Sequence, residues 1–226
     1  GLIGFTCETT HPDVFAGEGP GVLRLQDPSM LDRIVAARRE CDLLVVSVHW
    51  GDEHVAWPRP DQLRLARAMV DHGADVIAGD HAHVFQGCER YRHGVIAYGL
   101  GNVSISALRR RVCWGGVEQD YVFEPGAIHR AGVAVSVHWE AGCIIGYELN
   151  AFEIGVDGRP RLRWAPFRLL NYRFKRRVWH LPGYRTFYAT VVWWQFRFAP
   201  RFRALGRMKT WVHVLNRIAG IPPASR

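Results

Sequence analysis

The stretch V-I-A-G-D-H-A-H-V-F-Q, residues 76–86, decides how this chain is read. A β-branched apolar run ends in Gly79 and then presents His81 and His83 two residues apart. A second run, L-L-V-V-S-V-H-W-G-D-E (43–53), ends the same way, with His49 at its tip and Glu53 just beyond. Ligands of open α/β sheets collect outside the C-terminal ends of the strands, so histidines at two strand ends point to a site. An H-x-H pair in extended backbone directs both side chains to one face, because strand periodicity is two. Neutral imidazoles at that spacing bind one metal ion or two adjacent ones, with carboxylates supplying the remaining charge. Surface histidines alone often produce an isolated H-x-H; a third histidine and an acid at the neighbouring strand end favour a site.

Working outward, L-I-G-F (2–5) suits a buried strand and H-P-D-V-F-A-G-E-G-P-G (11–21) a loop. Residues 29–40 place Leu31, Ile34 and Val35 at helical spacing behind a Pro-Ser start. Residues 42–49 form a buried strand of the kind found in parallel sheets. Residues 60–72 repeat the helical pattern and stop at Gly73. Residues 74–79 and 94–102 are further strands, so the alternation predicts an α/β domain with a largely parallel sheet. The runs A-G-V-A-V-S-V-H-W (131–139) and C-I-I-G-Y-E-L-N-A-F-E-I (143–154) have no helix between them and predict a closing antiparallel hairpin.

The 226 residues suffice for one substantial core, or for a domain with an appendage, and 48% hydrophobic content excludes wholesale disorder. The net charge of +8 is uneven: residues 159–226 hold 16 Lys+Arg and no Asp or Glu, whereas residues 1–158 hold 13 basic and all 21 acidic residues. Five cysteines without a C-x-x-C pair argue against a structural zinc site and a dense disulfide framework. The opening G-L-I-G-F reads as a strand already under way, so the natural N-terminus is expected upstream. No run of 18 apolar residues exists to span a membrane.

The segment from D-L-L-V-V-S-V-H-W-G-D-E through G-A-D-V-I-A-G-D-H-A-H-V-F-Q to V-I-A-Y-G-L-G-N (42–102) closely resembles the C-terminal half of the CapA, or poly-γ-glutamate capsule biosynthesis, family. That family shows S-V-H-W-G-x-E, then G-a-D-v-I-x-G-x-H-P-H-v-x-Q, then i-a-Y-S-L-G-N, and the likeness extends over about residues 1–106. The family is similar to the calcineurin-like metallophosphoesterases, which implies the C-terminal half of an α-β-β-α sheet sandwich around two divalent ions (Mn, Zn or Fe). By this resemblance His49, His81 and His83 match metal ligands, Glu53 the acid after H-W-G, and Asn102 the asparagine of the last motif. His49 and Glu53 are then the candidate catalytic pair. Asp80, Ala82 and Gly99 depart from the family pattern without removing a matched ligand. The family's earlier G-D and N-N-H motifs, with the bridging carboxylate, are absent from this sequence, so the 226 residues alone are expected to be inactive.

Other polar residues weigh less. Asp75 reads as a cap or turn residue. Asp80 is either a turn residue or a partner that orients a histidine. His54 and His72 read as loop or helix surface, and His138 as solvent-facing. Gly99, Gly101 and Asn102 either form a turn or line the site.

The expected division is residues 1–158 as the metallophosphatase-like domain and 159–226 as a basic, aromatic-rich tail. Arg with interleaved Trp, Phe and Tyr over residues 173–211 suits an anionic membrane surface, or simple packing with Arg stems over apolar surface; nucleic acid is the weaker alternative. The resemblance implies capsule or exopolymer synthesis in the bacterial cell envelope, with a cytoplasmic place as the alternative. Other capsule-synthesis proteins are the implied partners, and an anionic polymer or phosphorylated compound the implied substrate. The rival to a metal-dependent phosphoesterase- or amidase-like hydrolase is a non-catalytic polymer-binding or scaffolding subunit.

Overall fold

The computed structural model describes residues 1–7, 21–114, 117–162 and 176–198. In chain order they form β1 (Leu2–Thr6), α1 (Met30–Arg39), β2 (Val45–Trp50), α2 (Pro60–Asp71), β3 (Val76–His81), β4 (Phe85–Tyr91) and β5 (Gly94–Leu100). There follow β6 (Leu108–Trp114), β7 (Val117–Phe123), β8 (Ala131–Glu140), β9 (Cys143–Ile154), β10 (Pro160–Leu162), α3 (Tyr184–Trp193) and a π-helical turn, Trp194–Phe198. The main sheet runs β1-β2-β3-β5-β4, parallel except for β4, which returns antiparallel on β5. A second sheet, β10-β9-β8, is antiparallel, and β6 pairs with β7 as a separate ribbon. The α/β class expected from the pattern is the one observed, with the 131–139 and 143–154 runs paired as a hairpin.

Local chemistry explains the element ends. In β2, Val46, Val48 and Trp50 are fully buried at alternate positions, the period-two pattern of a packed strand face. The strand begins at Val45 rather than Asp42 because Asp75 claims the preceding backbone: its carboxylate accepts the Leu44 N–H at 2.7 Å, and Arg38 lies 3.6 Å away. Helix α2 starts at Pro60, which lacks the N–H that a first turn leaves unpaired, while Gln62 Oε1 accepts the Arg59 N–H at 2.7 Å. Its buried stripe of Leu63, Ala66, Met69 and Val70 covers the sheet, as Met30 and Ile34 of α1 do beside it.

Two polar residues hold β4 in the interior. Glu89 is 1% exposed, yet Arg67 meets it with two hydrogen bonds of 2.8 and 3.0 Å and the Tyr98 hydroxyl donates at 2.6 Å. Burial alone would raise the Glu89 pKa, but the bonds from Arg67 and Tyr98 hold it below the usual range. Gln86, fully buried, donates to the Val55 carbonyl at 2.9 Å. Part of the basic segment joins this core: Trp179, Tyr184 and Tyr188 are buried, and Trp179 lies 5.2 Å from the Tyr98 ring.

At the C-terminal edge of the main sheet the Trp50 indole N–H donates to the Tyr98 carbonyl at 2.9 Å. This bond links β2 to β5 across the intervening β3, one residue past the end of the β3–β5 ladder at Ala78↔Ala97. It passes over Gly79, where a Cβ would lie 2.2 Å from the Tyr98 carbonyl oxygen and 2.5 Å from the indole nitrogen. Gly79→Ala is therefore expected to lower stability by about 3 kcal/mol, at the upper end of ordinary overpacking. Urea unfolding would check this; a loss below roughly 1 kcal/mol would show that the bond tolerates displacement.

Candidate functional site

The parallel register places His49 opposite Asp80 and Trp50 opposite His81. His49 Nδ1 lies 2.6 Å from Asp80 Oδ1, and its ring centroid is 4.6 Å from that of His81. His81 and His83 are 6.4 Å apart. The three histidines thus come to one side of the strand ends, but not by strand alternation. His81 and His83 have φ of 79° and 55°, so the backbone turns left-handed at each and swings the rings round. Extended geometry was expected there; non-glycine residues in this region are strained and persist only where the surroundings hold them.

Hydrogen bonding sets the imidazole tautomers. Asn102 is buried, and its Nδ2 donates to the carbonyls of His83 and His129, each at 2.9 Å. Two carbonyls can only accept, so the amide orientation is settled and Oδ1 faces His83 Nδ1 at 2.8 Å. His83 Nδ1 must then carry the proton, leaving a lone pair on Nε2. The Asp80 carboxylate does the same for His49. A carboxylate or amide behind an imidazole is the arrangement that orients a ligating or basic histidine.

Beside this trio stand two more histidines. His54, expected on the surface, is half-buried, and His129 had no signal in the sequence beyond its Pro-Gly turn. The Gly126 N–H donates to His129 Nδ1 at 3.1 Å, so His129 Nε2 bears the proton and donates to His54 Nδ1 at 3.0 Å. His54 Nε2–H is directed in turn toward Glu53, 3.8 Å away. Phe123 stacks on His54 at 5.9 Å and packs edge-on to His129 at 5.4 Å. His72 and His138 are exposed, as expected. Asp75 serves the fold rather than the site.

Three of these imidazoles, His54, His81 and His129, are pushed toward the neutral form. Burial, then His54 and His83, push His129 down to about 4. Burial also lowers His54, against an opposing pull from Glu53, and burial followed by His49 lowers His81. Neutral imidazoles are the form that binds metal ions. His49, His81 and His83 are the residues able to contribute, although among the described residues no set of three or more His, Cys, Asp and Glu side chains closes around one ion. A cleft of about 600 Å³ opens beside His49, lined by Phe5, Thr6, Leu23, Ser47 and Asp80 among others.

Residues 7–106, which carry the trio, Asp80, Glu53 and Asn102, match the family model described as bacterial capsule synthesis protein PGA_cap. This segment belongs to the CapA capsule-synthesis family. Capsule biosynthesis protein CapA of Bacillus anthracis is 41% identical over 104 residues, 44% of this chain and 25% of that protein. PGA biosynthesis protein CapA of Bacillus subtilis is 45% identical over 83 residues, 37% of this chain and 22% of that protein. A Mycobacterium tuberculosis protein named "Probable polyglutamine synthesis accessory protein" is 32% identical over 91 residues, 37% of this chain and 24% of that protein. The chain spans about a quarter of the length of these relatives. His129 and α3 lie outside the family match.

The neutral histidines make stability pH-dependent. Folded His129 protonates near 4, whereas an unfolded histidine does so near 6.5. Between those values the unfolded chain binds more protons, so this contribution is complete above about 6.5 and is lost as pH falls toward 4. His54 and His81 act in the same direction. Urea midpoints should fall between pH 7.5 and pH 5, and His129→Gln should lose less over that interval than the parent chain. Parallel losses in the two chains would remove His129 from the account.

Proposed function

We propose that this chain serves the synthesis of a capsule or exopolymer of the poly-γ-glutamate kind as part of a metal-dependent hydrolase. The observation that carries the reading is the pair of imidazoles, His49 and His83, held by Asp80 and Asn102 with their Nε2 lone pairs fixed beside His81. His49, His81 and His83 would contribute to holding divalent ions, two by family resemblance, which would supply Lewis-acid polarisation of a phosphoryl or amide oxygen. The remaining chemistry belongs to the side chains. Glu53, about half exposed at 54%, takes a proton from the attacking water and returns it to the leaving group. His54, fixed by His129, holds that carboxylate toward His81. The cleft beside His49 receives the anionic substrate, with a phosphoester and an amide of an acidic polymer as the two candidates.

The open donor set favours a second reading, a polymer-binding or scaffolding subunit with the same fold. Zinc or manganese titration by calorimetry, paired with hydrolysis of bis(p-nitrophenyl) phosphate and of poly-γ-glutamate, separates the two when run on a longer chain that also carries the upstream G-D and N-N-H motifs. The hydrolase reading expects metal binding that weakens about tenfold or more in His81→Ala and His83→Ala, and turnover abolished by Glu53→Gln. Polymer binding without metal dependence or turnover would leave the scaffold.

The relatives' printed roles in capsule synthesis support a place at the cell envelope, among other capsule-synthesis proteins. No described helix is long and apolar enough to cross a membrane. At the end of α3, however, Trp193, Trp194 and Phe196 are 53%, 37% and 47% exposed beside Arg197, in a segment without acidic residues. Such a surface suits anionic lipid headgroups, each basic residue near them contributing about 1 kcal/mol. Residues 173–175 and 199–211 of the proposed membrane segment lie outside the described residues. The chain should co-sediment with anionic vesicles, with a blue shift of tryptophan emission that is weakened but not abolished by salt. Equal sedimentation with neutral vesicles would remove the electrostatic part of the reading.

A further inference from the structure

The loop 51–59 carries Glu53 and His54; within it the Val55 N–H donates to the Asp52 carbonyl at 3.3 Å and Arg59 lies 3.5 Å from Asp52, but neither contact holds Glu53 or His54. Gln86 of β4 donates to the Val55 and Trp57 carbonyls at 2.9 and 3.3 Å, and His129 meets the His54 ring, but the backbone at His54 itself is held from two distant parts of the chain. On one side the His54 N–H donates to the Ala82 carbonyl at 2.7 Å, between His81 and His83. On the other side lies the C-terminal helical segment. There Gln195 Nε2 donates to the His54 carbonyl at 2.9 Å, the Tyr188 hydroxyl to Asp52 Oδ2, and the Tyr184 hydroxyl to the Pro58 carbonyl at 2.7 Å. Phe187 packs edge-on against Trp57 at 4.9 Å.

We infer that Tyr188 and Gln195 are positioning residues of the candidate site, holding Glu53 and His54 against the His81–His83 turn. His54 is the point of leverage. It has φ of 63°, a left-handed conformation that a non-glycine residue keeps only under external restraint. Both of its backbone polar groups are bonded outside the loop, the N–H to the turn and the carbonyl to Gln195. Its ring nitrogens face His129 and Glu53, so rotation of the peptide would break the line from His129 to the carboxylate.

Packing alone does not account for these two side chains. Tyr188 and Gln195 point polar atoms inward from a helical face whose other inward residues are apolar or aromatic, and phenylalanine and methionine would fill the same volume. Burial also pushes the Tyr188 phenol up, so the hydroxyl remains a donor to Asp52 throughout the neutral range. Both residues lie well beyond residues 7–106, so the site of the family segment is completed by chain outside that segment.

The inference rests on the reading of Glu53 and His54 as functional, but its contacts are testable without it. The experiment compares the 226-residue chain with Tyr188→Phe, Gln195→Met, their double variant and Arg185→Ala, an exposed control on the same helix. Hydrogen exchange is followed by mass spectrometry, and histidine tautomers by ¹⁵N spectra of labelled protein. The double variant should raise exchange over residues 53–57 about tenfold while β2, β3 and β5 change less than twofold. The His54 signals should move from a single Nε2–H tautomer toward an averaged pair, and Arg185→Ala should match the parent. An unchanged loop, an unchanged His54 tautomer, or exchange that rises equally across the sheet would overturn the inference. A chain with no hydrolytic turnover would leave this result standing, and a slack loop would leave the metal titration unaffected.

Discussion

The hydrogen bond from Trp50 to the Tyr98 carbonyl is the constraint on which the rest of the site depends. Three strands end at one edge of the sheet: His49 and Asp80 occupy the penultimate positions of β2 and β3, and Asn102 lies two residues past the end of β5. Without a tie across them, the ends of β2, β3 and β5 would be free to splay where their ladders stop. The indole bond joins the outer two and presses on the middle one at Gly79, which has no side chain to resist. His49, Asp80 and Asn102 are thereby set at a fixed spacing, and the tautomers of His49 and His83 follow from that spacing.

Much of this was legible in the residues. Alternating strand and helix signals, with Pro60 and Gly73 bounding α2, gave the α/β order, and the two strand tips gave the histidine trio. Strand β4 was not legible because its buried positions include Gln86 and Glu89, which read as surface until Val55, Arg67 and Tyr98 are seen to satisfy them. The ribbon β6–β7 was obscured by a run of arginines. His54 was misjudged because nothing near it in sequence covers it: Phe123, His129 and Gln195 arrive from 69, 75 and 141 residues away. Left-handed backbone at His81 and His83 was equally invisible, since the residue type argues against it.

The two histidine groups differ in how they are wired. In His49 and His83 of the trio, acceptors sit behind Nδ1 and leave a lone pair on Nε2. In the pair, a backbone donor behind His129 passes the polarity the other way, ending in an N–H that faces Glu53. One group is prepared to donate electron pairs and the other to hold a carboxylate, a division imposed by Asp80, Asn102 and Gly126 rather than by the imidazoles themselves.

The contact between α3 and the loop also bears on the order in which the molecule can assemble. Contacts across 126 to 141 residues close late, because the entropy of bringing such distant segments together is offset only after the intervening sheet exists. The sheet can reach its native pairing with the 51–59 loop still open, and the final docking of α3 then shuts it. During synthesis the main sheet can therefore form well before the candidate site is assembled, and α3, the last of the described α-helices, is the one that brings Glu53 and His54 into line.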